Sequence, residues 1–216
     1  MRPVDELIDQ LASDAPPVRP LRPPLARALA WLAAAALLSG VSIYLLSDVQ
    51  TLLARHAGRE ELMALEMAAM LATGILAVVG AFFVAIPGRS RRWLLVPLAP
   101  FATWLLLSGA GCYRDLLHNG RSGLAVGHSV DCLIFIVSVS AVIGAPLVWL
   151  LSRARPIDPL PVALLGGLGT AAIAAFVLQF FHPFAVTFVD LAFHLVAIAL
   201  VVAAAALLNR RALSPA

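Results

Sequence analysis

Six long apolar runs follow one another along the chain, each long enough to cross a bilayer, with short polar connections between them. A hydrocarbon core of roughly 30 Å takes about 20 apolar residues per helical span. The expected spans are Ala26 to Leu46, Leu62 to Ile86, Trp93 to Ala110, Cys132 to Leu151, Pro161 to Phe181 and Leu191 to Leu208. They nearly use up the 216 residues, of which 62% are hydrophobic and 12% charged. A mean hydropathy of +0.95 lies outside the range of a soluble globular domain. The expected fold class is therefore an all-α integral membrane protein. A six-transmembrane-helix bundle (25–209) follows a polar N-terminal segment (1–24) and precedes a short tail (210–216).

Orientation follows from the basic residues, all fifteen of which are arginine. Arg2, Arg19, Arg22, Arg27, Arg89, Arg91, Arg92, Arg153, Arg155, Arg210 and Arg211 fall on one side, against Arg55, Arg59, Arg114 and Arg121 on the other. The positive-inside rule places the larger group, and with it both termini, in the cytoplasm. The net charge of +3 largely reflects this topological arginine, so no direct nucleic-acid contact is expected. The first apolar run lies behind a polar stretch of some 25 residues without a small-residue cleavage site, and reads as a retained helix rather than a signal peptide.

Within the N-terminal segment, Val4, Leu7, Ile8, Leu11 and Ala12 line one face of a short amphipathic helix, with Asp5, Glu6 and Asp9 on the other. About ten residues are too few for a stable isolated helix in water. The apolar face must dock on a partner protein, on the cytoplasmic ends of the bundle or on lipid, and its acidic polar face argues against lipid. The prolines at 16, 17, 20, 23 and 24 then make a semi-rigid spacer, and Arg19, Arg22 and Arg27 suit a basic stop at anionic headgroups.

Inside the membrane, Pro97, Pro100 and Pro146 are expected to interrupt spans three and four. Gly166, Gly167 and Gly169 in span five, with Ala203 to Ala206 in span six, suit close helix packing. No internal repeat suggests an inverted-repeat transporter. Ionisable residues are few: Glu66 lies near the outer end of span two, and Asp190 and His194 stand four apart at the start of span six, where they can pair. No acidic or histidine chain crosses the midplane as a proton pump needs, no histidines sit at matched depths for a di-haem cytochrome, and no cofactor is expected.

Cys112 ends span three and Cys132 begins span four, so both flank the second outer loop, in a compartment where disulfides persist. A bridge would close a loop of about twenty residues, worth about 3 kcal/mol in the chain-entropy model. The alternative is two apolar-packed thiols at helix ends. His118, His128 and His182 lie on the same side and offer imidazoles for a soft metal ion, without a compact ligand motif.

Four stretches carry a resemblance to a known family: ELIDQLASDAPPVRPLRPPLAR near the N-terminus, SGAGCYRDLL closing span three, SVDCLIFIVSVS opening span four and RARP before span five. From residue 5 to about residue 210 the chain resembles the NrsF-type anti-sigma factors, six-helix proteins of the bacterial inner membrane. The resemblance implies that the N-terminal segment, with Val4, Asp5, Glu6, Leu7, Ile8, Asp9 and Leu11, holds an extracytoplasmic-function sigma factor. It also implies that outer-face cysteines sense metal or oxidative stress. Cys132 matches one sensing position. Where the family shows His-Cys-Pro after span five, this chain has Phe181, His182 and Pro183, so the second sensing cysteine is missing and His182 is left to replace it as a metal ligand. The family's aromatic pair in span six is likewise absent, Leu191 to His194 reading LAFH.

The reading is thus a non-enzymatic signalling protein that keeps a sigma factor at the membrane until an outer-face event releases it, with Cys132, Cys112 and His182 as sensing candidates. The rivals are a membrane thiol oxidoreductase of the disulfide-forming type, for which two cysteine pairs or a Cys-x-x-Cys are wanting, and a small transporter.

Overall fold

The computed structural model describes residues 4–14, 20–47, 50, 60–120, 129–181 and 187–213. Among them are seven α-helices and no strand. In chain order these are α1 (Val4–Ser13), α2 (Pro24–Leu46), α3 (Glu60–Val84), α4 (Leu98–Asn119), α5 (Ser129–Ser152), α6 (Pro159–Leu178) and α7 (Phe188–Leu213). The last six are long and apolar enough to cross a membrane.

Most helix starts are written in local chemistry. Pro24 opens α2 and Pro159 opens α6 at first-turn positions, where a missing N–H is no loss. Asp158 caps α6 by accepting from the Leu160 N–H and is also held by Arg91 at 2.8 Å. The expected break in span three becomes a helix start. A 3-10 turn, Arg91–Leu94, precedes α4, Pro97 stands at the N-cap and Pro100 falls in the first turn, where neither removes an intrahelical bond. The helix then runs on to Asn119, so Cys112 lies inside it rather than at its end. Pro146 does sit inside a helix, α5.

Helix α6 is central. It is buried along most of its length and packs on α3, α5 and α7, while α2 leans chiefly on α3 through Ala28, Trp31 and Ala35. Glycine sets the closest approach. A Cβ on Gly169 would lie 2.7 Å from Val78 Cγ2 and 3.1 Å from the Val78 nitrogen, and one on Gly74 would lie 2.7 Å from Ile173. On the other side of α6, a Cβ on Gly167 would meet Val202 Cα at 2.7 Å. Without a hydrophobic drive between helices in lipid, this backbone contact supplies the dispersion energy that holds the bundle. Two buried threonine hydroxyls are satisfied within their own helices: Thr73 donates to the Ala69 carbonyl at 2.7 Å and Thr170 to that of Gly166 at 3.1 Å. Large apolar side chains such as Leu37, Tyr44 and Leu106 are left on the outside, where a bilayer would solvate them.

The two ends of the bundle differ. Arg27 meets the end of α5 at the Leu150 carbonyl, and Arg91 meets Asp158, so the connections rich in arginine gather at one end. The starts of α5 and α7 meet at the other.

Candidate functional site

The end opposite the arginine-rich connections carries the polar and thiol chemistry. Thr187 and Asp190 open α7 as a reciprocal cap. The Asp190 N–H donates to Thr187 Oγ1 at 3.2 Å, while the Thr187 N–H and hydroxyl each donate to Asp190 Oδ2 at 2.9 Å. Those bonds occupy one carboxylate oxygen. The other accepts from Ser129 Oγ of α5 at 2.5 Å. One capping residue thus ties two transmembrane helices together, and both partners are buried, Ser129 at 0% and Asp190 at 3% exposure.

The pairing expected of Asp190 with His194 is different in kind. His194 Nδ1 lies 2.6 Å from the Asp190 main-chain carbonyl, not its carboxylate, because that carboxylate is turned back to the cap and across to α5. His194 is buried at 2% exposure rather than reaching towards water.

Cys132 follows Ser129 by one turn and is buried in an apolar cluster with Ile136, Ala174, Leu178 and Ala197. Cys112 is buried in another, with Met70, Trp104, Leu191 and Ile198. The two sulfurs are not joined to each other. Of the two readings left open by the sequence, the arrangement here is that of apolar-packed thiols. The first turn of α7 adjoins both groups, with Asp190 tied to α5 one turn before Cys132 through Ser129 and Leu191 in the same cluster as Cys112. A second interhelix tie lies one turn below Cys112, where the Ser108 hydroxyl of α4 donates to Glu66 of α3.

The proposed metal ligands are not assembled by what is described. His182 and His128 lie outside the described residues, as does the side chain of His118. Among the described residues no three His, Cys, Asp or Glu side chains converge on one point.

At the far end of the sequence argument, α1 forms as expected. Val4, Leu7, Ile8 and Leu11 are 71%, 48%, 56% and 64% exposed, so its apolar face is uncovered. Glu6 and Asp9 are exposed too, while the Asp5 side chain lies outside the description.

Sequence reasoning passed over Ser129, Thr187 and Ser108. A Thr-x-x-Asp pattern directly before an apolar run was the signal available for the α7 cap. Nothing marked Ser129 or Ser108, since serine is unremarkable inside a membrane helix until its partner is known.

Six apolar helices tied by hydrogen bonds within the bundle, with a short amphipathic helix left uncovered, define a multi-pass helical membrane protein. A family model described as negative regulator of sigma F matches residues 11–214. The chain belongs to that family, NrsF, and its partner class is a sigma factor. The match begins at Leu11, so most of α1 precedes it. No curated protein and no solved structure matches the chain.

Proposed function

We propose that this protein is a membrane anti-sigma factor. In this reading it holds an extracytoplasmic-function sigma factor at the cytoplasmic face of the bacterial inner membrane and releases it on an envelope signal of metal or oxidative stress. The observation that carries the reading is the uncovered apolar face of α1, tethered to the bundle by the proline spacer. A ten-residue helix of this kind gains most of its order from what it docks on. Burying Leu7, Ile8 and Leu11 on a sigma factor supplies roughly 1.5 to 3 kcal/mol each. The acidic face then speeds encounter with a basic protein surface.

Signal reception belongs, in this reading, to Cys132 and Cys112, with His182 as a further ligand for a soft metal. A modified or metal-bound thiol at either position no longer fits its apolar cluster. The strain is then felt at the start of α7, which both clusters adjoin, and helix shifts of an ångström or two carry it through the bundle. Two buried thiols in separate clusters offer no dithiol for quinone-linked disulfide chemistry, so the oxidoreductase reading gains no support.

The test is co-purification in detergent. The full chain should retain its sigma factor and a chain lacking residues 1–14 should not, with equal membrane insertion. Retention by the truncated chain would move the binding surface to the arginine-rich loops.

A further inference from the structure

The arginine-rich end holds two cations that the sigma-factor reading does not use. Arg27, in the first turns of α2, donates to the Leu150 carbonyl near the end of α5, and its guanidinium carbon lies 5.1 Å from the centroid of the Phe82 ring. Arg153, one turn beyond Leu150, stacks on Trp149 with its guanidinium carbon 3.8 Å from the ring centroid. Both side chains are thus held at the C-terminal end of α5. Their contacts are with a neutral carbonyl and two ring faces. Asp158, the carboxylate on the neighbouring loop, is taken by Arg91. Among the described residues no carboxylate forms an ion pair with Arg27 or Arg153.

Two cations gathered at one helix end repel each other and call for an anion, and the guanidinium fork matches phosphate oxygens in pairs. The surroundings specify the source. Trp149, the ring beneath Arg153, is 55% exposed, so that guanidinium lies against an apolar face turned outward and not in a polar cleft. An indole at this level is a usual headgroup-depth anchor, and basic pockets between helices at the cytoplasmic side take anionic headgroups.

We propose that Arg27 and Arg153 form a site for the phosphate of an anionic phospholipid. The lipid neutralises their repulsion and fastens the start of α2 to the end of α5. It does not depend on sigma-factor binding.

The test uses the purified full-length chain in neutral detergent, with phosphatidylglycerol or phosphatidylcholine added. Phosphatidylglycerol should raise Tm above the phosphatidylcholine value, and native mass spectrometry should show one lipid per chain surviving detergent removal. Arg27→Gln with Arg153→Gln should erase both effects, whereas Arg91→Gln should keep them. If the double variant does not fold, Arg153→Gln alone, at an exposed side chain, should lower lipid occupancy at least threefold. Unchanged occupancy in either arginine variant would overturn the site. An equal Tm rise from soluble glycerol 3-phosphate would overturn the lipid assignment in favour of free phosphate. Loss of the effect on deleting residues 1–14 would transfer the anion's role to the acidic face of α1.

Discussion

The Ser129 hydroxyl of α5 donates to the Asp190 carboxylate of α7 at 2.5 Å, while the second oxygen of the same carboxylate caps α7 through Thr187. Asp190 is therefore shared between local helix capping and a tertiary contact. Removing it should cost more than removing its partner. Ser129→Ala should destabilise the bundle by about 1 kcal/mol and Asp190→Ala by about 2 to 3 kcal/mol, since the second also strands the Thr187 N–H. A double-mutant cycle in mixed micelles should give a coupling of about 0.6 to 1.7 kcal/mol. A coupling of zero would mean that the two helices are held by packing alone.

The glycine contacts predict opposite outcomes at two positions on different helices. Gly169→Ala drives a Cβ into the backbone of α3 and should cost about 1 to 3 kcal/mol. Gly109→Ala meets nothing within 4 Å and should be neutral or stabilising by up to about 1 kcal/mol. Unfolding in graded SDS reads both.

Cys112 and Cys132 are 2% and 3% exposed, so N-ethylmaleimide should label them slowly in the folded protein and quickly after denaturation. In cells, Cys112→Ala and Cys132→Ala should alter the response to the signal more than repression without it, because both lie at the end of the bundle opposite the arginine-rich connections. An unchanged response in the double variant would leave the outer histidines as the sensing candidates.

On α1, Leu7→Asp with Leu11→Asp should abolish sigma-factor capture from detergent extracts, since each lost burial removes roughly 1.5 to 3 kcal/mol and a buried unpaired carboxylate adds to the penalty. Insertion of the bundle should be unaffected. Replacing Asp5, Glu6 and Asp9 by their amides should instead slow association and flatten its salt dependence.

A periplasm-active reporter fused after Leu117 should give signal, and fusions after Arg92 or Arg211 should not, from the arginine distribution alone. Activity after Arg211 would require an odd number of spans.

The number of spans, the helical class and the amphipathic character of α1 were legible because each is a property of one segment against its solvent. Twenty apolar residues cross a bilayer whatever their neighbours are, and Leu7, Ile8 and Leu11 share a face by helical geometry alone. The family resemblance was legible for a similar reason: it rests on contiguous strings such as SVDCLIFIVSVS. What the tertiary structure decided was which faces meet. Helix α6 is apolar all the way round, so hydrophobicity does not say that its Gly169 edge takes α3 and its Gly167 edge takes α7. The prolines at 97 and 100 likewise read as breaks until the helix was seen to start beside them. Asp190 had a histidine four residues away as its obvious sequence partner. It chose Ser129, 61 positions earlier, because the α7 cap aims its second oxygen across the bundle and not along its own helix.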